Sequence, residues 1–195
     1  MPRHSNTPEL LLDEAQRLVQ IVGYNAFSYR DLASAVDVKT ASIHYHFPTK
    51  SDLGVALMQR YTEETLLEFE RIDSRAKTAK AKLSRFVDGY RRTLANENRI
   101  CVCGSFAVEI NTLEPALRDA VQRYFDLSVE WVESVIREGI AAGEWRKPGP
   151  KAPHPAALAK TLVAGLQGAM QFARITGEDR LLKHVEHQHL ALLGA

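Results

Sequence analysis

Apolar residues recur every three or four positions along most of the chain, and this spacing is the strongest constraint on its fold. The first such set lies at Leu11, Ala15, Leu18 and Val22. Residues at this spacing share one face of an α-helix, whereas a strand requires alternation at every second position. No segment of the 195 residues keeps a strand-like alternation. The sequence therefore predicts an all-α protein.

Capping residues, glycines and prolines divide the chain into about nine helices of two sizes. Three short helices fall within residues 1–48, the second at about 28–35 and the third at about 39–46. Longer helices are predicted at 49–73, 76–97, 115–142, 155–176 and 178–193, with a short one at about 103–112. Residues 143–155 contain four of the eight prolines and are predicted to form a loop. We expect a small N-terminal domain, residues 1–48, and a larger helical domain, residues 49–195, connected by helix 49–73.

The segment VKTASIHYHFPTK at positions 38–50 combines an apolar anchor with a polar, donor-rich face. Its apolar residues are Val38, Ile43 and Phe47, and it contains no carboxylate. Because it follows a short helix and a tight turn at 36–38, it has the layout of a helix-turn-helix. The second helix of such a unit lies in the DNA major groove. A solvated turn of a helical bundle is the alternative that these residues leave open.

The outward side chains of this segment suit both bases and phosphates. Hydroxyl groups can bond base edges and methyl groups can touch the thymine methyl, while longer side chains reach phosphates. The amides at the start of the next helix, beside Lys50, can also face the DNA backbone. The residues expected to face DNA are Lys39, Thr40, Ala41, Ser42, His44, Tyr45 and Lys50.

The stretch YNAFSYRDLASAVDVKTASIHYHFPTKSDLGVAL resembles the DNA-binding segment of TetR-family transcriptional repressors. The match covers about residues 8–55, and several aromatic, proline and lysine positions agree at once. The resemblance implies phosphate contacts for Ser28, Tyr29, His44 and Lys50, and groove-facing positions for Thr40, Ala41, Ser42 and Tyr45. Three departures bear on the operator sequence: Asp37 replaces the usual turn glycine, Thr40 a common lysine and His44 a common tyrosine.

The same resemblance implies a function for the whole chain. It predicts a homodimeric repressor that binds a palindromic double-stranded operator and is released by a small-molecule inducer. No cofactor is expected. A thiol enzyme built on Cys101 and Cys103 and a purely helical interaction module are the competing functions, and the thiol enzyme leaves the segment at 38–50 unexplained.

Bulk composition excludes several other classes. No run approaches the roughly 18 apolar residues that cross a bilayer, and the start MPRHSNTPEL lacks a signal-peptide stretch. We therefore expect a cytoplasmic protein. Two cysteines are too few for a disulfide framework, and the net charge of +1 does not by itself indicate nucleic-acid binding.

The stretch RICVCGSFAVEI at 99–110 places Cys101 and Cys103 one residue apart. Two small buried side chains are one interpretation, and a strained disulfide is another; a structural zinc site would want four ligands. A cysteine at a helix N-terminus beside Arg99 instead favours the reactive thiolate.

That stretch also resembles a TetR branch similar to the NemR-like and acrylate-responsive regulators, whose leading cysteine senses electrophiles. The resemblance gives this role to Cys101. Ser105 and Phe106 depart from the branch pattern, which bears on the shape of the ligand pocket.

The family resemblance further implies a ligand cavity enclosed by the helices of the larger domain. Aromatic residues at helical spacing are also typical of plain core, so each assignment has that alternative. The residues predicted to line the cavity are Phe86, Tyr90, Cys101, Cys103, Phe106, Tyr124, Trp131, Gln167, Met170 and Gln171.

Small residues at spacings of three and four on the helix after the proline-rich loop predict a close helix–helix contact. Together with apolar residues of the last helix they resemble the family's four-helix dimer interface, with intrachain packing as the alternative. The predicted interface residues are Ala157, Thr161, Ala164, Gly165, Gly168, Leu181 and Val185. His184 and His187 share a face of the last helix, and a solvated surface is expected there rather than a metal site.

Overall fold

The computed structural model describes residues 7–145 and 154–194 of the chain. All regular structure in these residues is helical, which confirms the predicted all-α class. One 3₁₀ turn, Ile110–Thr112, accompanies the α-helices. The α-helices of the described residues are α1 (Thr7–Ile21), α2 (Tyr29–Val36), α3 (Thr40–His46), α4 (Lys50–Arg75), α5 (Ala79–Ala95), α6 (Val102–Val108), α7 (Pro115–Ala141), α8 (Pro155–Thr176) and α9 (Arg180–Leu192).

The predicted helix boundaries agree with these bounds to within about three residues except in one place. The single helix expected at 103–112 is split, because α6 ends at Val108 and Glu109 leaves the helical conformation with φ −101° and ψ 13° before the 3₁₀ turn. The loop predicted at 143–155 lies largely outside the described residues, at 146–153.

The chain forms two compact units. Unit one contains the described residues up to Glu63 together with Val102–Tyr124, and unit two contains Glu64–Cys101 and the described residues from Phe125 onwards. Helices α4 and α7 contribute residues to both units.

The core of unit one is built on one face of α1. Leu11, Ala15 and Val19 are fully or almost fully buried, together with Leu32 of α2 and Ile43 of α3. The predicted face of α1 is therefore wrong at its end, because Val22 is 50% exposed and Val19 takes the inward position.

Unit one also contains the segment from Val102 to Tyr124. Ser105 of α6 donates a hydrogen bond to the buried carbonyl of Val19 at 2.7 Å. At the start of α7, Leu117 lies so close to α4 that a β-carbon built on Gly54 would be 2.7 Å from its Cδ2 atom. The three short helices thus share their core with residues that follow much later in the chain.

Unit two is organised by α5, α8 and α9, which pack on one another in every pairing. Thr78 caps α5 by accepting from the Ala81 amide at 3.1 Å, and the Glu144 carboxylate accepts from the Ala79 amide at 2.9 Å. The ammonium of Lys82, a mostly buried residue, pairs with Asp73 at 3.0 Å and Glu138 at 2.7 Å. None of the described helices combines the length and apolarity that crossing a membrane requires.

Candidate nucleic-acid interface

Local capping explains the sharp corner between α2 and α3. Ser28 is the N-cap of α2 and exchanges bonds with Asp31, whose carboxylate accepts from the Ser28 amide at 2.8 Å and hydroxyl at 2.7 Å. These bonds keep the pKa of Asp31 below its ordinary value. The helix ends at Asp37, which adopts the left-handed conformation with φ 57° and ψ 49°. The Val38 amide then donates to the Ala33 carbonyl at 3.0 Å, and α3 begins two residues later.

Helix α3 presents its polar side chains outward and anchors itself through its apolar ones. Ile43 is fully buried and Phe47 is 8% exposed. Tyr45 is 83% exposed, the largest exposed side chain of this helix, and Ser42 is partly buried. The remaining predicted DNA-facing residues that are exposed here are Lys39, Thr40, Ala41 and His44. Hydroxyl, methyl and imidazole groups thus share one accessible face, on which the segment carries no carboxylate.

Tyr29 is buried, which opposes the phosphate contact expected of it. Its hydroxyl lies 2.9 Å from the Phe47 carbonyl and 2.5 Å from the Thr49 carbonyl. Burial raises the pKa of this phenol well above its ordinary value. Tyr29 therefore ties α2 to the end of α3 instead of reaching outward.

Lys50 is also directed inward, so its predicted phosphate contact needs the same correction. Its ammonium donates to the Tyr24 carbonyl at 2.5 Å and to the Phe27 carbonyl. It also lies 4.6 Å from the ring centroid of Tyr24 and 4.3 Å from that of Phe27. Burial lowers the pKa of Lys50. Two carbonyls and two aromatic faces together direct this half-buried cation toward the core of unit one.

His44 is exposed, but one side of its ring is engaged. Nδ1 lies 3.2 Å from the Pro48 carbonyl, which can only accept, so Nδ1 carries the hydrogen of this bond. The ring also packs edge-on against Tyr29, with centroids 4.8 Å apart. This arrangement leaves Nε2 for an outside partner.

Arg30 is a candidate contact that the sequence reasoning missed. It is exposed on the first turn of α2, beside the buried Tyr29 and on the side away from Leu32. The signal was available, since the helical spacing that buries Leu32 and Ala33 turns Arg30 outward.

Most of the predicted ligand-binding residues of unit two lie close to one another. Phe86 packs against Tyr90 with ring centroids 5.4 Å apart, and against Trp131 at 5.6 Å. Gln167 lies with its Nε2 atom 3.4 Å from the Tyr90 hydroxyl. Gln171 is exposed, so its predicted lining role is wrong.

Met170 and Cys101 also meet within unit two. The Cys101 amide donates to the Met170 sulfur at 3.1 Å, and the two residues are 3% and 1% exposed. Arg99, which was expected to favour the Cys101 thiolate, pairs with Glu97.

The other three predicted lining residues belong to unit one. Cys103 lies 3.7 Å from the Met58 sulfur, measured between sulfur atoms. Phe106 packs against Tyr24 and Tyr124 against Tyr61, with ring centroids 5.1 Å and 5.3 Å apart. The two cysteines are not joined by a disulfide, which removes the strained-bridge interpretation.

The predicted dimer residues of α8 and α9 fall into two groups. One group is exposed and comprises Ala157, Thr161, Ala164 and Gly168. Gly165 instead faces α9, since a β-carbon built there would lie 3.1 Å from Cγ1 of Val185 in the same chain. Intrachain packing therefore accounts for Gly165 and Val185, and Leu181 is half-buried.

Two large apolar side chains extend the exposed face of α8. Phe172 is 65% exposed and Ile175 is 84% exposed, at spacings that continue the line from Gly168. On α9, His184 and His187 are exposed. Within residues 7–145 and 154–194, no three His, Cys, Asp or Glu side chains converge as a metal site would require.

A short helix anchored on a buried core and offering a polar outer face, followed by a larger helical unit, defines the helix-turn-helix class of DNA-binding regulators. Comparison with known families agrees in both parts of the chain. Residues 11–57 match the model of bacterial regulatory proteins of the tetR family, and residues 79–189 match the tetracyclin repressor-like C-terminal domain. The chain belongs to the TetR family of transcriptional regulators. It is a DNA-binding helix-turn-helix transcriptional regulator and not an enzyme, which sets aside the thiol-enzyme alternative.

Individual relatives support the same family. The HTH-type transcriptional repressor DhaR of Mycobacterium sp. (strain GP1) is 26% identical over 150 residues, 76% of this chain and 72% of DhaR. A TetR transcriptional regulator from Legionella pneumophila is 32% identical, with a TM-score of 0.85 over 98% of this chain and 100% of that one. The reduced form of E. coli NemR has a TM-score of 0.82, covering 96% of this chain and 97% of its own, at 19% identity. At that identity NemR supports the fold, and the branch that Cys101 suggested is only a distant structural neighbour.

Proposed function

We propose that this regulator binds a palindromic operator as a homodimer and is released from it by a small molecule. The observation that carries the proposal is α3, whose outward face holds Tyr45, Thr40 and Ala41 and carries no carboxylate. A helix of this kind suits the major groove, where hydroxyl and methyl groups read base edges. Lys39, Ser42 and His44 extend this face, and Ser28 and Arg30 supply further contacts at the start of α2.

The exposed face of α8 supports the homodimer. It runs from Ala157 to Ile175 and combines small residues with two large apolar side chains. Small residues allow two helices to approach closely, and large exposed apolar side chains in one line are unusual on a monomer. A two-fold dimer presents two recognition helices, which accounts for a palindromic operator.

We retain a functional boundary near residue 48. Residues 1–48 supply the DNA contacts, and residues 49–195 supply ligand binding and dimerisation, with α4 as the connection. This boundary divides the chain by function. It does not coincide with the compact units, since the core of the first three helices includes residues from Val102 onwards.

The test of operator binding uses the full chain and DNA that it selects. A random duplex pool is enriched by the purified protein, and binding is then measured by fluorescence anisotropy. We expect an inverted repeat with half-sites about one helical turn apart. A scrambled duplex of the same length is the control, and a failure to enrich any sequence would contradict the proposal.

For the inducer, we propose a ligand held by unit two near Tyr90, Gln167, Met170 and Cys101. These side chains offer neutral polar groups and sulfur among aromatic rings. A coupling of about 1–3 kcal/mol between ligand and operator would weaken DNA binding about 5- to 150-fold.

A second candidate makes Cys101 the point of covalent sensing. Its thiolate would add to the β-carbon of an α,β-unsaturated acceptor, forming a C–S bond while the α-carbon takes up a proton. Added volume at a residue only 3% exposed would strain the packing by about 1–3 kcal/mol. This candidate predicts that Cys101→Ser binds operator normally but resists release by acrylate-type electrophiles, while Cys103→Ser responds like the parent. Equal release of the parent and Cys101→Ser would leave only the non-covalent ligand.

A further inference from the structure

The turn between α1 and α2, residues 23–27, is held by side chains that lie outside the helix-turn-helix. We call it the α2-entry turn. The Asn25 amide donates to Glu109 Oε2 at 3.0 Å, and the Asn25 side-chain nitrogen donates to Thr112 Oγ1 at 2.8 Å. Glu109 follows α6 directly, and Thr112 ends the 3₁₀ turn. The α2-entry turn is therefore bonded to a segment more than 80 residues away.

Lys50 holds the same turn through its carbonyls. Its ammonium donates to the carbonyls of Tyr24 and Phe27, and both of these side chains are buried. Glu109 thus accepts a hydrogen bond from one amide of the turn, while Lys50 donates to two of its carbonyls. The backbone polar groups of the turn are shared between two side chains of opposite charge.

The electrostatics of the turn place the Glu109 carboxylate close to its residues. Burial raises the pKa of Tyr24 to about 12, and the charge of Glu109 is the second cause. Burial lowers the pKa of Lys50, and the charge of Glu109 opposes that shift. At Gly23, where φ is +97°, a β-carbon would lie 2.8 Å from Glu109 Oε1. The carboxylate therefore lies against the backbone itself.

This turn leads directly into the DNA-binding helices. Ser28 begins α2 directly after the turn, and Tyr29 bonds the carbonyls of Phe47 and Thr49 at the end of α3. On the other side, α6 is attached to α1 by the bond from Ser105 to Val19. A displacement of α6 within unit one would therefore pull on the turn at Glu109.

We propose that Glu109 is a positioning residue for operator binding, which holds the α2-entry turn together with Lys50 and contacts no DNA. The inference rests on the operator binding proposed above. It makes operator affinity depend on where α6 lies, through one carboxylate and one backbone amide. It also assigns the half-buried Lys50 to the α2-entry turn and not to the phosphate backbone.

The experiment measures operator affinity by anisotropy on the duplex that the parent protein selects, at several salt concentrations and well below the unfolding temperature. Glu109→Ala should weaken binding about tenfold, while Glu109→Gln, which keeps the acceptor, should stay within about threefold of the parent. Asp119→Ala is the matched control, because it removes the same charge from an exposed site of unit one. It should stay within about twofold.

Salt dependence distinguishes positioning from phosphate contact. Losing a phosphate contact lowers the slope of log affinity against log salt by about one, whereas losing a positioning bond leaves the slope unchanged. We expect an unchanged slope for Glu109→Ala and for Lys50→Met. Because both residues hold one turn, their effects on affinity should be non-additive in the double variant.

Several outcomes would overturn the inference while leaving operator binding intact. Glu109→Ala could bind as the parent does, Glu109→Gln could lose as much as Glu109→Ala, or the salt slope could fall. If Glu109→Ala does not fold, Thr112→Val carries the test, since it breaks the exposed second bond to the turn and should weaken binding about threefold. A parent protein that selects no duplex would instead overturn the proposed function, and this inference with it.

Discussion

Asp37 is one of three non-glycine residues in the described part of the chain with a positive φ, together with Glu97 and Asn98. It ends α2 with φ 57°, a conformation that costs most L-residues about 1–2 kcal/mol and that glycine adopts freely. Asp37→Gly should therefore raise the free energy of unfolding by about 0.5–1 kcal/mol, measured by urea denaturation. Asp37→Asn should change it little because asparagine tolerates this conformation, and Asp37→Ala should lower it. A destabilised glycine variant would contradict this account.

Tyr45 has a large side chain that contributes little to the stability of the folded protein. It is 83% exposed, so Tyr45→Ala should change stability by no more than about 0.5 kcal/mol. Its loss should weaken specific operator binding by about 1–3 kcal/mol, as for one base-reading contact. Fluorescence anisotropy on selected and scrambled duplexes measures the specific and the non-specific DNA affinity. Val22→Ala, at another exposed site of unit one, is the control and should leave affinity unchanged.

At the scale of elements, two mid-helix glycines should respond in opposite directions to alanine. Gly89 of α5 has room for a methyl group. Outside its own helix backbone and chain neighbours, the nearest described atom to a β-carbon there would be Arg92 Nη2 at 3.9 Å. Gly89→Ala should stabilise the protein by about 0.5–1 kcal/mol through helix propensity. Gly54 of α4 faces the fully buried Leu117, so Gly54→Ala should destabilise it by about 1 kcal/mol or more.

The Gly54 result has an internal check. Leu117→Ala alone should be destabilising because it leaves a cavity. In the double variant the two losses should partly cancel, since the added methyl group enters the space that Leu117 leaves. Thermal and urea unfolding of the four proteins provide the cycle. Simple additivity would show that α4 and α7 do not approach as closely as the structure indicates.

At the scale of the whole molecule, the two glycines of α8 separate dimer formation from monomer packing. Among the described residues, no atom beyond its chain neighbours and its own helix backbone lies within 4 Å of a β-carbon built on Gly168, whereas one on Gly165 would meet Val185. Gly168→Leu should leave the monomer folded but block the close approach of a second copy. Gly165→Leu should lower the stability of each monomer by about 1–3 kcal/mol through overpacking.

Sedimentation velocity and thermal unfolding measure these two effects. We expect monomeric Gly168→Leu, and Ile175→Glu should behave alike because its side chain is 84% exposed on the same face. Both variants should lose affinity for a two-half-site operator while keeping helical content. A Gly168→Leu protein that sediments as the parent does would place the interface elsewhere.

Local features of the chain determined its elements. Periodicity identifies nine α-helices among the described residues, and capping at Ser28 and the break at Pro48 delimit α2 and α3, because these signals act within a few residues. The outward face of α3 followed from the same spacing, as the exposure of Thr40 and Tyr45 agrees with it.

Only the tertiary structure decided where the longer side chains lie. Lys50 and Tyr29 both looked suited to phosphate, yet the partners that turn them inward are 23–26 and 18–20 residues away. Glu109 meets Asn25 across 84 residues, and Gly165 meets Val185 on the next helix. Helical spacing indicates which side of its helix a residue lies on, but it does not indicate which residues of other elements pack against that side. The partner of an inward-facing ammonium, hydroxyl or carboxylate is therefore known only once the chain has folded.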